Sequence, residues 1–219
     1  MPDVTVTRPT QLSIVEGMER PVGPILPSVF QGTNADLMAA VAPLYLTGSV
    51  LDVTHGNGDT AGGWWRRFTP DPFTFHDLAI DGVDFTDLPH IDGEFDTVTF
   101  DPPYVLSGGA AGPGAVDLRD RFGLEAGRFS NATLHDLILG GLAESLRVAS
   151  GYCLVKCMEY AQGGKFHDVP TMVTVAATAA GWTLHDRIVH HTGTGPGSHN
   201  IKEVKRARRH HSYLIVFSR

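Results

Sequence analysis

The sequence is poor in cysteine, lacks a long apolar run and carries no excess of positive charge. Its 219 residues include two cysteines, Cys153 and Cys157, whose separation along one predicted strand is too long for a disulfide. No window approaches the roughly 20 apolar residues of a membrane span, and prolines interrupt the apolar groups near the start of the chain. We therefore expect a cytoplasmic protein with reduced thiols, without a secretion signal and without a membrane partner.

The net charge of -7 argues against a general attraction to polyanions, but basic residues gather near the end of the chain. The stretch "HNIKEVKRARRHH" makes residues 192–211 a basic loop. Its candidate contacts to nucleic-acid phosphates are Lys205, Arg206, Arg208 and Arg209. A solvated loop without a partner is the open alternative.

Apolar, β-rich runs alternate with helical patterns, which predicts a single α/β domain over residues 1–219 with a largely parallel sheet. The predicted strands are 49–53, 73–78, 95–100, 152–157, 182–191 and 211–219, with a short one near 83–85. The predicted helices are 34–46, 133–148 and 170–180, with a short one around Trp64 to Arg66. We expect Asn34 and Thr133 to cap their helices, and the last two strands to pair antiparallel at the sheet edge.

Two segments lie outside this alternation. Residues 1–33 form an N-terminal extension, and residues 105–132 fit neither the helical nor the strand period. A loop of that length in a compact domain is usually functional, so we expect a lid on the substrate side. Within it, Arg119 and Arg121 are candidate contacts to a nucleic-acid backbone, although paired charges on a surface loop explain them equally well.

The stretch "VLDVTHGNGDT" leads from an apolar strand through Gly56 and Gly58 toward a helix, and such a turn lets a ligand approach the backbone. The third glycine of the dinucleotide fingerprint is missing, and Asp59 near the helix start would repel a pyrophosphate. The turn therefore favours a ligand with a positive or zwitterionic group. In the following "FHDLAID", Asp77 and Asp81 are candidates to bind ribose hydroxyls, or are ordinary turn aspartates.

A second stretch, "FDTVTFDPPYVLSGG", ends an apolar strand at Asp101, Pro102, Pro103 and Tyr104. Proline fixes φ, removes a donor and keeps the residue before it out of the helical region. The turn is therefore stiff and can direct two acceptors, the Asp101 carboxylate and the Pro102 carbonyl, at one NH2 group. Tyr104 offers a ring face to a planar heterocycle. A purely structural turn is the less favoured interpretation.

Together these motifs resemble the class I S-adenosylmethionine-dependent methyltransferases that act on exocyclic amino groups of nucleobases. Their Asp, Asn or Ser followed by Pro-Pro and an aromatic residue matches positions 101–104, and their cofactor loop resembles "DVTHGNGDT". The resemblance implies cofactor contacts by Asp52, Thr54, Gly56, Gly58 and Asp77, with Asp84 and Phe85 of "GVDFTDLP" at the cofactor's adenine. Val53 and Asp59 depart from the family pattern, which usually has proline and threonine at these positions.

The resemblance implies a Rossmann-like fold, with a mostly parallel seven-stranded sheet, helices on both faces and an antiparallel last strand. It also implies S-adenosyl-L-methionine as cofactor, catalysis by residues 101–104, and methylation of adenine N6, with DNA favoured over RNA as the partner. RNA bases (guanine N2 or adenine N6), the side-chain amide of glutamine, and a non-catalytic nucleic-acid-binding subunit stay open as alternatives. Adjacent histidines on a strand point to opposite faces, so we expect no metal; the sequence does not indicate the oligomeric state.

Overall fold

The chain folds into a sheet flanked by helices, in a computed structural model that describes residues 26–56, 63–103, 131–162, 165–191, 207 and 209–219. The strands are β1 (Val29–Gln31), β2 (Val50–Asp52), β3 (Phe73–Phe75), β4 (Phe95–Phe100), β5 (Ala149–Cys157), β6 (Tyr160–Gln162), β7 (Lys165–His167), β8 (Thr183–His191) and β9 (Ser212–Ser218). The helices are α1 (Asn34–Tyr45), α2 (Asn131–Val148) and α3 (Val169–Ala179). None of the helices in these ranges is long and apolar enough to cross a membrane.

Seven of the strands form one sheet in the order β1-β8-β9-β5-β4-β2-β3. Strand β9 is antiparallel to both of its neighbours, and the other neighbouring strands described are parallel. This arrangement confirms the predicted Rossmann-like α/β fold, with its mostly parallel seven-stranded sheet and antiparallel last strand. Strands β6 and β7 form a separate antiparallel pair, which the sequence did not indicate.

Three expectations about strands and helices are wrong. Residues 83–85 form no strand, because the Asp84 carboxylate accepts the Thr86 N–H at 2.8 Å and closes a local turn. The sheet reaches seven strands through β1, which pairs with β8 and places the β8–β9 pair inside the sheet rather than at its edge. Trp64 to Arg66 form bends rather than a short helix.

The helix starts also differ from the prediction. Thr33, not Asn34, caps α1, because its hydroxyl accepts the Asp36 N–H at 3.2 Å while the Asp36 carboxylate accepts the Thr33 N–H at 2.9 Å. Helix α2 begins at residue 131, so Thr133 lies inside it.

Alternating residues of the central strands supply two cores, one on each face of the sheet. Leu214 and Val216 pack in the core that contains α1, whereas Ile215 and Phe217 pack in the core that contains α2 and α3. All four side chains are fully buried, and burial of one such side chain stabilises the fold by about 1.5–3 kcal/mol. The predicted helices on both faces are thereby confirmed.

Helix α2 lies close to strand β4 at one glycine. A methyl group added at Gly141 would lie 2.5 Å from Phe85 Cδ2 and 2.6 Å from Phe100 Cζ. At the adjacent Gly140 an added methyl group would meet Thr86 Cγ2 at 3.4 Å, which is ordinary contact. Position 141 therefore requires glycine for space, and position 140 does not.

We expect Gly141→Ala to lower the free energy of unfolding by about 1–2 kcal/mol, because overpacking against two buried rings outweighs the gain in helix propensity. Gly140→Ala is the matched control and should be neutral or stabilising by up to about 1 kcal/mol. Urea unfolding followed by circular dichroism measures both. Equal stability of the two variants would contradict this account of α2 packing.

A buried histidine lies at the junction between strands β1 and β8. His190 is fully buried, its Nε2 lies 2.9 Å from the Gly32 carbonyl, and its Nδ1 has no partner among the described residues. Burial lowers the pKa of His190 below that of an unfolded histidine. The folded state therefore favours the neutral ring, and its stability falls as the pH drops below about 6.5 toward the folded-state pKa.

Replacing His190 with glutamine, which keeps an N–H donor for Gly32, should flatten the loss of unfolding free energy between pH 7.5 and pH 5. The measurement is urea unfolding across that range for the wild type, His190→Gln and the control His210→Gln. His210 is exposed, so its variant should keep the pH dependence of the wild type. If the free energy of unfolding of His190→Gln falls with pH as steeply as that of the wild type, the His190 ring does not cause the loss of stability at low pH.

Candidate functional site

The carboxyl ends of the parallel strands lie at one edge of the sheet, and the site is centred between β2 and β4. From β2 the chain runs outward to β3, and then returns to the other side of β2 to form β4. Ligands of open α/β sheets bind at such a reversal of strand order, beyond the carboxyl ends of the strands. Asp52 ends β2 and Asp101 follows β4, so both predicted motifs meet at this point.

Asp52 is a buried carboxylate that accepts hydrogen bonds from residues close to it in the sequence. Its Oδ2 accepts the indole N–H of Trp65 at 2.6 Å, and its Oδ1 accepts the backbone N–H of Thr54 at 3.1 Å. The His55 ring lies 3.4 Å from the same Oδ2 and stacks on Phe75. These contacts fix the direction in which the loop after β2 leaves the sheet.

Asp101 is fixed through both its backbone and its side chain. Its N–H donates to Thr54 Oγ1 at 2.8 Å, and its Oδ2 accepts the indole N–H of Trp64 at 3.2 Å. Pro102 and Pro103 are buried behind it. Thr54 thereby connects the predicted cofactor loop directly to the predicted catalytic turn.

The glycine turn after β2 is tied to the end of β3. Gly56 has φ of 53°, in the left-handed region that glycine adopts most readily, and its N–H donates to Asp77 Oδ2 at 2.8 Å. The other carboxylate oxygen of Asp77 accepts the Ala79 N–H at 2.9 Å. Asp77 therefore holds the two loops together, and its predicted contact with ribose hydroxyls stays a prediction.

Beside this turn, two histidines and two acids form a chain of side chains. His76 lies between Asp81, 2.6 Å from its Nδ1, and His90, 2.8 Å from its Nε2, and His90 in turn lies 3.1 Å from Glu94. Burial raises the pKa of the Asp81 carboxyl, but hydrogen bonds from His76 and two backbone N–H groups lower it overall. These contacts join the beginning of the connection between β3 and β4 to its end.

The predicted adenine contacts lie further along the same connection between β3 and β4. Asp84 is exposed, and its Oδ1 also accepts the Thr86 hydroxyl at 2.8 Å. Phe85 is buried, and its ring centroid lies 5.4 Å from that of Phe100 at the end of β4. Asp84 is accessible to a ligand, whereas Phe85 packs in the core, and its predicted contact with the adenine ring stays a prediction.

Of the predicted basic residues, Arg209 is described. Its guanidinium carbon lies 4.7 Å from the centroid of the Phe166 ring, which is 45% exposed. Strand β7, which carries Phe166, follows β5 on the carboxyl side of the sheet. Seven predicted site residues lie outside the described part of the chain: Gly58, Tyr104, Arg119, Arg121, Lys205, Arg206 and Arg208.

Sequence reasoning missed the roles of Trp64 and Trp65, whose indole N–H groups reach the two motif aspartates. Two adjacent tryptophans after a glycine turn were the available signal, because a buried indole N–H usually finds an acceptor. Lys156 is buried on the central strand β5.

Two further observations concern the cysteine thiols and possible metal ligands. Cys153 and Cys157 are free thiols, and burial raises the pKa of both. Across the ranges described, no group of three or more His, Cys, Asp or Glu residues is arranged to hold a metal ion.

No family model and no curated protein matches the chain. Among solved structures, a candidate DNA modification methylase from Thermus thermophilus in complex with S-adenosyl-L-methionine is 15% identical, with a TM-score of 0.36. The match covers 59% of this chain and 47% of that protein, so the chain spans about half of its length.

Two other solved structures match over most of both chains. A SAM-dependent methyltransferase from Methanosarcina mazei is 9% identical over 81% of this chain and 96% of its own, with a TM-score of 0.42. A candidate methyltransferase from Haloferax volcanii, in complex with the methyltransferase activator Trm112, is 14% identical over 84% of this chain and 87% of its own, with a TM-score of 0.43. At TM-scores below 0.5 these similarities do not decide the function of this chain.

Replacing Thr54 with valine should leave the Asp101 N–H without its acceptor and lower the free energy of unfolding by about 1–3 kcal/mol. Thr54→Ser is the matched control, because it keeps the hydroxyl. Urea unfolding measures stability, and amide hydrogen exchange reports the Asp101 N–H directly. If that amide exchanges equally slowly in Thr54→Val and Thr54→Ser, the bond does not hold the turn.

Proposed function

We propose that the chain is an S-adenosylmethionine-dependent methyltransferase acting on the exocyclic amino group of a nucleobase, with adenine N6 in DNA as the first candidate substrate. The observation that carries the proposal is the meeting of Asp52 and Asp101 at the reversal of strand order, with Thr54 joining their loops. The cofactor-loop and Asp-Pro-Pro-Tyr patterns of the sequence thus fall at adjoining strand ends.

The residues at this edge fit the proposed cofactor. Asp52, Asp77 and Asp84 are carboxylates, which pair with an ammonium group and with ribose hydroxyls and would repel a pyrophosphate. Gly56 provides the sharp turn that lets a ligand approach the backbone. When bound, S-adenosylmethionine supplies a methyl group on a sulfonium centre.

The proposed task of Asp101 is to hold and polarise the amino group of the base. An exocyclic amino nitrogen is a poor nucleophile because its lone pair is delocalised into the ring. Hydrogen bonds from its hydrogens to the Asp101 carboxylate and the Pro102 carbonyl favour a nitrogen with a localised lone pair. The carboxylate also stabilises the positive charge that develops on nitrogen as the methyl–nitrogen bond forms and the methyl–sulfur bond breaks, which releases S-adenosylhomocysteine, before a proton passes to Asp101 or to water.

Nucleic acid as the partner is supported by the residues on the carboxyl side of the sheet. The exposed Phe166 ring and the Arg209 guanidinium lie together there, an aromatic and a cation suited to a base and a phosphate. If the base is taken from a duplex, it must leave the stack, which costs a few kcal/mol, and Tyr104 is the predicted stacking partner.

Methyl-labelled S-adenosylmethionine, incubated with the protein and separately with duplex DNA, total RNA and a protein extract, tests the proposal. We expect label in DNA, recovered as N6-methyladenine after digestion. Asp101→Ala should lower the rate about 100-fold or more, because the main acceptor for the amino group is lost. Asp92→Asn, a change of an exposed carboxylate paired with Arg147, is the control and should keep the wild-type rate.

The outcomes separate the alternatives. Label in RNA and not in DNA would transfer the proposal to RNA bases, and label in protein would replace the nucleobase with a side-chain amide. No label in any substrate, together with no binding of the cofactor, would refute an enzymatic function. Full activity of Asp101→Ala would refute the site.

A further inference from the structure

We propose that Trp64 is a positioning residue for Asp101, whose carboxylate it orients toward the amino group that is methylated. The inference rests on the proposed function and adds a residue that neither motif contains. The chain has three tryptophans, and two of them, Trp64 and Trp65, are adjacent and buried. Their indole N–H groups donate to Asp101 and Asp52 respectively, so each motif aspartate receives one indole.

The Trp64 indole completes the fixation of Asp101. The residue's backbone is held by the Thr54 hydroxyl and by the two following prolines. The hydrogen bond of 3.2 Å from Trp64 to Oδ2 restrains rotation of the carboxylate about its side-chain bonds. We expect Oδ1 to be the oxygen presented to the amino group of the substrate.

Apolar packing alone does not require an indole at this position. Trp64 is 6% exposed and packs in the core of the α1 face, and a phenylalanine ring would fill most of the same space. What the indole adds is one N–H group, and a buried N–H is stable where it has an acceptor. The acceptor here is the carboxylate that the motif places at the end of β4.

The same bond dictates which atom an asparagine would present. An indole N–H requires an acceptor, so the amide oxygen of an asparagine at position 101 would turn toward Trp64. Its NH2 group would then face the substrate amino group, donor against donor. With phenylalanine at position 64 this constraint is lost, and the amide can turn its oxygen to the substrate.

The same substitution, tryptophan to phenylalanine, is made at each of three positions to test the inference. Each variant is assayed for methyl transfer with the nucleic acid that is labelled in the experiment above. Trp64→Phe should lower kcat about tenfold with little change in the KM for S-adenosylmethionine, because the acceptor loses its orientation. Trp65→Phe should instead raise that KM, because its indole holds Asp52 in the cofactor loop. Trp182→Phe, at the opposite edge of the sheet before β8, should match the wild type.

The decisive measurement is the double variant Trp64→Phe with Asp101→Asn. Asp101→Asn alone should lose nearly all activity, and adding Trp64→Phe should restore part of it, at least about tenfold over the single variant. If Trp64 served only packing, adding Trp64→Phe to Asp101→Asn would lower the activity further. If the double variant is no more active than Asp101→Asn, and Trp64→Phe alone keeps the wild-type kcat, the inference is overturned.

A readout without turnover separates this inference from the proposed function. In 15N-labelled protein, Asp101→Asn should shift the indole N–H resonance of Trp64 and leave that of Trp182 unchanged. If Trp64→Phe does not fold, benzothienylalanine at position 64 removes the N–H while keeping the ring volume. A wild-type protein that transfers no methyl group overturns both proposals, whereas normal transfer with an unshifted Trp64 resonance overturns the positioning role alone.

Discussion

The hydrogen bond from the Asp101 amide to the Thr54 hydroxyl is the contact on which the geometry of the site depends. Strands β2 and β4 are paired up to Asp52 and Thr99, and the Val53 N–H donates to the Thr99 carbonyl at 3.1 Å just beyond β2. The Thr54–Asp101 bond continues the connection past the end of the strand ladder, at 2.8 Å. Because of it, the loop after β2 and the turn after β4 form one unit rather than two independent loops.

Carboxylates gather at this edge of the sheet, and they are tolerated because N–H donors hold them. Asp52 and Asp101 each accept an indole N–H, and Asp77 accepts two backbone N–H groups. Hydrogen bonds from backbone and indole groups compensate the loss of hydration of these buried carboxylates. Carboxylates grouped in this way suit a cationic ligand.

The parts of the fold that could be predicted are those set by residues close together in the sequence. Strand β4 was predicted at its observed bounds, because its apolar run ends at a proline pair that cannot continue the ladder. The meeting of the two motifs followed from the parallel order. Strand β1 was missed because three residues with one half-buried side chain carry no period. The contacts of Trp64 and Trp65 were missed because their partners lie 37 and 13 residues away and depend on tertiary packing.

The burial of both cysteines has a consequence for labelling. Thiol reagents attack the thiolate, and the raised pKa values of Cys153 and Cys157 keep these groups protonated inside the core. The sequence contains no further cysteine. A cysteine introduced on the surface would thus react alone with a maleimide dye or a nitroxide, and the unmodified chain is a silent background for distance measurements across the site.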